Sequence, residues 1–207
     1  MKKLLITTAL VGSLISAPAF SKNVRSISIE ASNIDVEQSF NNVEYLGSEN
    51  KTRPTVRYSY KGQGEHIFFR PSISYTFGEI ALRDTNSTSN KSTLSKIATI
   101  EADIGFNITK KTSVFATVGA ISATFERDEN GINHDKNSNA ILAGVGLEYD
   151  ICKKYSVNAK YQRSDMAFNV SDHDADHKVS TDIFKVGIYF KLYLKTEGKL
   201  REGLGKI

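Results

Sequence analysis

The residues able to do chemistry in this 207-residue chain are few and unevenly placed. The densest group is Asp172-His173-Asp174-Ala175-Asp176-His177, with His134-Asp135 in a second polar stretch. Imidazoles beside carboxylates are the donor types that gather a divalent metal. The group follows no ligand spacing of a metal motif, so it reads as a solvated loop of mixed charge, and no metal or other cofactor is expected. No serine stands near a histidine and an acid at an enzyme's spacing, so no catalytic residue is expected either. Cys152 stands beside Lys153 and Lys154. A single cysteine cannot close an internal disulfide, and this one reads as an incidental turn residue.

A second set of charges is more informative because of what surrounds it. Glu30, Arg57, Arg70, Glu101, Asp103, Glu148, Lys160, Lys185 and Lys191 each interrupt a run that is otherwise apolar at every second position. Ala98, Ile100, Ala102, Ile104, Phe106 and Ile108 alternate with Thr99, Glu101, Asp103, Gly105 and Asn107. Ile67, Phe69, Ile73, Tyr75 and Phe77 share one parity, broken by Pro71, while Arg70, Ser72, Ser74 and Thr76 take the other. The same period recurs at Ile141–Tyr149, Val157–Tyr161 and Phe184–Leu192. Period 2 is the signature of β-strands.

The connections set the topology. Lys61–Glu65, Thr109–Thr112 and Ile151–Lys154 read as tight turns, whereas the polar segments 38–52, 80–93, 126–137 and 168–179 read as long loops. Short turns on one side and long loops on the other describe an up-and-down barrel. Adding the strand 113–125 and the weaker ones at about 24–36 and 53–61 brings the count to eight. The fold class expected is all-β: an eight-stranded antiparallel transmembrane β-barrel with both chain ends on the short-turn side.

A membrane barrel and a soluble one differ in where the polar parity points. A strand of about ten residues, tilted by about 40°, covers roughly 25 Å, the height of the apolar band of an outer-membrane barrel. The polar parity here is rich in small residues, with Gly105, Gly144, Gly146 and Gly187 on it. Small residues suit the narrow interior of eight strands. Lysine or arginine facing lipid at the midplane costs about 2–4 kcal/mol, and buried charge is tolerated mainly when paired. The nine charged residues above are therefore expected to form an ion-pair network in the lumen.

The amino terminus fits export. Met1-Lys2-Lys3, an apolar run from Leu4 to about Ile15 and small residues at Ala17-Pro18-Ala19 make a secretory signal peptide, with cleavage near Ala19 or at Ser21. The run is too short to cross a bilayer as a helix. Lys2 and Lys3 account for two of the net +4, leaving +2, which gives no reason to expect a nucleic-acid partner. Residues 20–195 are the expected barrel and 196–207 a short periplasmic tail.

Two segments carry a resemblance. Gly144-Val145-Gly146-Leu147-Glu148-Tyr149, a tight turn, then Tyr155-Ser156-Val157-Asn158-Ala159-Lys160-Tyr161, resembles the penultimate hairpin of the small outer-membrane barrels related to the OmpA transmembrane domain and to the OmpX, Ail and Opa surface proteins. Lys185-Val186-Gly187-Ile188-Tyr189-Phe190-Lys191-Leu192 is similar to that family's last strand, in which Lys185, Gly187, Phe190 and Leu192 hold the positions read by the barrel-assembly machinery. The family commonly stops there with an aromatic, whereas this chain continues to Ile207.

The resemblance implies insertion in outer-membrane lipid and an adhesin-like surface antigen. Its four long loops would contact host or matrix molecules. A structural envelope barrel without a ligand is the alternative. The less favoured one is an enzyme acting on lipid, which needs a His-Ser-acid cluster at one rim, near a residue such as His66.

Overall fold

The computed structural model describes residues 22–40, 43–45, 51–82, 91–129, 132–169 and 176–192. All regular structure there is β: β1 (Lys22–Phe40), β2 (Val43–Tyr45), β3 (Lys51–Gln63), β4 (Ile67–Thr76), β5 (Ile80–Leu82), β6 (Lys91–Asn107), β7 (Thr112–Glu129), β8 (Ile132–Asp150), β9 (Tyr155–Asn169) and β10 (Asp176–Leu192). Eight of these pair antiparallel in the order β10-β9-β8-β7-β6-β4-β3-β1, and β10 closes on β1. The closing seam runs from Arg25↔Leu192 to Phe40↔His177. β2 and β5 are short strands added to β1 and β6 on the long-connection side. Among the described residues no helix is long and apolar enough to cross a membrane.

Closure of the eight-strand path gives each of its strands two faces and joins the sheet to itself. The outward face is an apolar belt: Ile27 and Ile29 on β1, Ile100, Ile104 and Phe106 on β6, Ile141, Val145 and Leu147 on β8, and Phe184, Val186, Ile188 and Phe190 on β10 are all exposed. Ala102 shares this face but is covered by its neighbours, being small and opposite Pro71 and Val118.

The belt occupies only the half nearest the short turns. Beyond it the outward residues become polar on every long strand: Asp35 and Glu37 on β1, Asn137 and Asn139 on β8, Arg163 and Asp165 on β9.

The four long loops are shorter than expected. Residues 126–129 and 132–137 are paired strand, from Glu126↔Asp135 to Glu129↔Ile132. Ile80–Leu82 pairs with Ser92–Leu94. Residues 38–40 pair with 43–45, and β9 and β10 stay paired from Asn169↔Asp176 inward. Polar composition does not end a strand whose backbone groups are satisfied by the ladder while its side chains stay in water. For the same reason the turn expected at 61–65 is narrower: Lys61–Gln63 still pairs with Lys22–Val24, and the reversal is closed by Gly64 N donating to Ile67 O at 2.8 Å. The expected signal peptide and tail, 1–19 and 196–207, lie outside the described residues.

A bulge on β6 explains why its clean alternation starts only at Ala98. Ser95 pairs with Thr124 and Ala98 with Ser122, so Lys96 and Ile97 together oppose Ala123. Lys96 has φ of 52°, the left-handed turn such an insertion needs. The parity switch lets both Leu94 and Ile97 point inward.

Candidate functional site

The interior is stacked in layers, each made by residues that strand alternation turns inward. Nearest the short turns lie Lys61, Phe68, Phe115 and Tyr189. Lys61 Nζ stands 4.1 Å from the centre of the Phe68 ring, and the Arg70 guanidinium 4.8 Å from both the Phe115 and Tyr189 rings. These cation–π contacts were not read from the sequence. Phe68 and Phe115 share the parity of Arg70 and Thr117, but each sits in a run where aromatics also mark the lipid face.

The middle layer holds eight of the nine charged residues singled out in the sequence: Glu30, Arg57, Arg70, Glu101, Asp103, Glu148, Lys160 and Lys185, none more than 2% exposed. Arg57 Nε lies 2.9 Å from Glu30 Oε1, and Arg57 Nη1 2.6 Å from Glu101 Oε2. Lys160 Nζ reaches Glu101 at 2.8 Å and Asp103 at 3.0 Å, and Lys185 Nζ reaches Glu101 at 3.3 Å. Arg70 bridges Asp103, 2.9 Å from its Nη2, to Glu148, which it also contacts. Lys61 Nζ is 3.3 Å from Glu148.

The ninth residue, Lys191, sits at the rim, 2.5 Å from Asp150 and 3.9 Å from Glu148. Hydroxyls complete the carboxylate shells: Thr99 donates to Glu101 at 2.8 Å and Thr117 to Asp103 at 2.6 Å. Neighbouring strands are tied by Ser32–Thr55, Thr55–Thr76 and Ser74–Thr99 contacts of 2.6–2.8 Å.

Above this lies an apolar layer that sequence parity did not reveal. Ile34, Val36, Ile80, Leu94, Ile97, Ile121, Phe125, Leu142, Met166, Val179 and Ile183 form one buried cluster. Most of their outward neighbours, such as Asp35, Glu37, Lys96, Ser122 and Asp165, are polar, so the contrast that marks a lipid-facing strand is inverted for most of the cluster. Leu142 beside Ile141 and Ile183 beside Phe184 lie where the belt and the cluster meet. In these segments the interior behaves as the core of a soluble protein.

On the last strand Lys185 and Gly187 face inward while Phe190 and Leu192 face outward. A Cβ at Gly187 would lie 2.5 Å from Glu30 Cγ, so only glycine lets that carboxylate cross the seam. Phe190 packs edge-on against Tyr155, ring centres 5.5 Å apart.

Other chemistry-capable residues are not brought together. Cys152 is exposed in the β8–β9 turn. His66 is exposed at the β3–β4 turn, its Nε2 3.9 Å from Glu65 Oε1. Residues 172–175 lie outside the described residues, and Asp176 and His177 begin β10. Among the described residues no group of three metal-ligating side chains forms. What the arrangement does chemically is hold paired charge in a closed interior.

Comparison with known proteins follows the same lines. A sequence model described as "Outer membrane protein beta-barrel domain" matches residues 7–191. The structure of Ail, the attachment invasion locus protein of Yersinia pestis, in complex with the heparin analogue sucrose octasulfate, is similar with a TM-score of 0.56 and 17% identity. That likeness covers 83% of this chain and 99% of Ail. Neisserial surface protein A is similar with a TM-score of 0.52 and 12% identity, covering 81% of this chain and 97% of that one. At such identities the likeness is one of fold. No curated protein matches the sequence.

Proposed function

The chain belongs to the outer-membrane β-barrel family, and from that premise we propose that it is an adhesin-like surface protein whose outward projection contacts host or matrix molecules. The observation that carries the reading is the height of the barrel against the height of its belt. β1, β7, β8 and β10 have 17–19 residues. A strand of about 18 residues at about 3.3 Å each, tilted by about 40°, rises roughly 45 Å, against a lipid-facing band of about 25 Å.

The surplus of about 20 Å lies wholly on the long-connection side, where the outward residues are polar and the inward ones form the apolar core. A scaffold raised above the bilayer, with its own core, supports loop residues at a distance from the surface and keeps them in place. Exposed charge of both signs lines it, including Lys136, Asp135, Arg163 and Asp165. That mixture suits a protein surface better than a purely anionic polymer.

A structural envelope role is the second reading, favoured by the filled lumen. Export by residues 1–19, and reading of Lys185, Gly187, Phe190 and Leu192 by the assembly machinery, belong to the proposal. The test is whole-cell binding to immobilised matrix proteins and to heparin. Each connection, 41–50, 83–90, 130–131 with its flanking strand ends, and 170–175, is replaced in turn by a two-residue turn. Folding is expected to persist in all variants and binding to fall in at least one. Binding unchanged in every trimmed variant would leave the structural role as the account.

A further inference from the structure

We propose that the barrel interior binds one small inorganic anion of the halide class between Lys185 and the side-chain amide of Gln162. Two independent observations meet at this place. The first is charge. The buried cations are Arg57, Lys61, Arg70, Lys160 and Lys185, and the buried carboxylates are Glu30, Glu101, Asp103 and Glu148, so among the described residues five positive groups face four negative ones.

Lys191 and Asp150 neutralise each other at the rim and do not alter that balance. Two buried cations are each left with a single, shared carboxylate within 4.0 Å among the described residues: Lys61, whose Glu148 is also held by Arg70, and Lys185. The partner of Lys185, Glu101 Oε1 at 3.3 Å, is already engaged by Arg57 at 2.6 Å and Lys160 at 2.8 Å. Lys185 also sits directly across the ladder from Lys160, a like charge. Uncompensated charge in a confined interior is costly and calls for a counter-charge.

The second observation is a set of orphaned polar atoms on the same strand pair. Going up the inward face of β9 from Lys160, the next residues are Gln162 and Ser164, both buried. Neither amide atom of Gln162 nor the Ser164 hydroxyl has a hydrogen-bond partner among the described residues. Buried amides and hydroxyls are otherwise nearly always satisfied. Arg57 Nε and Arg70 Nη2 differ from them, since each stands 2.9 Å from a carboxylate oxygen.

An amide one inward step above an under-compensated ammonium, and a hydroxyl two steps above it, are the donor types that hold an anion. The partners of Gln162 across the ladder are Gly144 and Ile183, and Ser164 faces Leu142 and Thr181, so the apolar layer begins immediately above. A monatomic ion needs few donors and little room. A phosphate or sulfate would carry several oxygens into that apolar ceiling.

The test uses the full barrel refolded in detergent micelles. Its urea midpoint is followed as sodium gluconate is exchanged for chloride or bromide at constant ionic strength. A specific site leaves the folding constant unchanged below its dissociation constant and raises it about tenfold per tenfold increase in halide above it. A non-specific salt effect shows no such threshold and is the same in the variants as in the parent. Lys185→Met is expected to lose the response, and Gln162→Leu to weaken it should Lys185→Met not fold. Crystals grown in bromide should show an anomalous peak within hydrogen-bond distance of Lys185 Nζ. Equal midpoints in gluconate, chloride and bromide would overturn the site, as would a halide response retained in both variants or bromide found only on the outer surface.

Discussion

Glu101 is the most heavily used carboxylate in the lumen, contacted by Arg57, Lys160 and Lys185 and by the Thr99 hydroxyl. Removing its charge deprives three cations of a shared partner, whereas removing one of those cations leaves the carboxylate with two. Breaking a buried pair by deleting one member costs about 3–5 kcal/mol, and replacing a surplus charge by an apolar group of similar size is often neutral or better. Glu101→Gln is therefore expected to lower unfolding free energy in urea by about that amount, and Lys185→Met to change it by less than about 1 kcal/mol. A Glu101→Gln protein as stable as the parent would mean that water, not protein, compensates this charge.

At the scale of elements, the long strands carry two environments in series, and one adjacent pair on β8 separates them. Ile141 is 76% exposed on the outer face, and Leu142 is 0% exposed inside the apolar cluster. Leu142→Ala opens a cavity among Ile121, Met166 and Ile183 and should cost about 2–5 kcal/mol. Ile141→Ala removes contacts with detergent or lipid only, so its effect on the same urea transition should be much smaller. Equal losses would show that the outer half of the barrel is not a packed core. The bulge at Lys96 on β6 serves the same core, because without the parity switch Leu94 would point out of it.

For the whole molecule the decisive property is closure around a filled interior. An eight-stranded barrel has room for its own side chains and little more. Here that room is taken by the aromatic and charged layers near the short turns and by the apolar layer beyond. Unheated protein in a gel should migrate apart from boiled protein, since strands closed by the β1–β10 seam resist the detergent until heated. In planar bilayers the refolded protein should show no sustained open channel. A stable conductance of porin size would require the layered lumen to be displaced and would replace the scaffold reading with a transport role.

The eight-strand count, the turns at 109–112 and 151–154 and the parity on which Glu30, Arg57, Arg70, Glu101, Asp103, Glu148, Lys160 and Lys185 lie were legible in sequence. The reason is that lipid imposes a strict period of two: an apolar residue must face it at every second position, and a charge cannot. Composition likewise marked Glu101, Asp103, Lys160 and Lys185 as residues needing partners. Which partner each one finds was decided by closure. Arg57 meets Glu101 across 44 residues and Lys185 meets it across 84, separations that no local pattern encodes. Where the strands end was also a tertiary outcome. The segments at 126–137 and 168–179 are polar in composition and so read as loops, although their described residues are paired strand. Their pairing comes from ladder hydrogen bonds and from the apolar core that Phe125, Leu142, Met166 and Val179 build only once the barrel has brought them together.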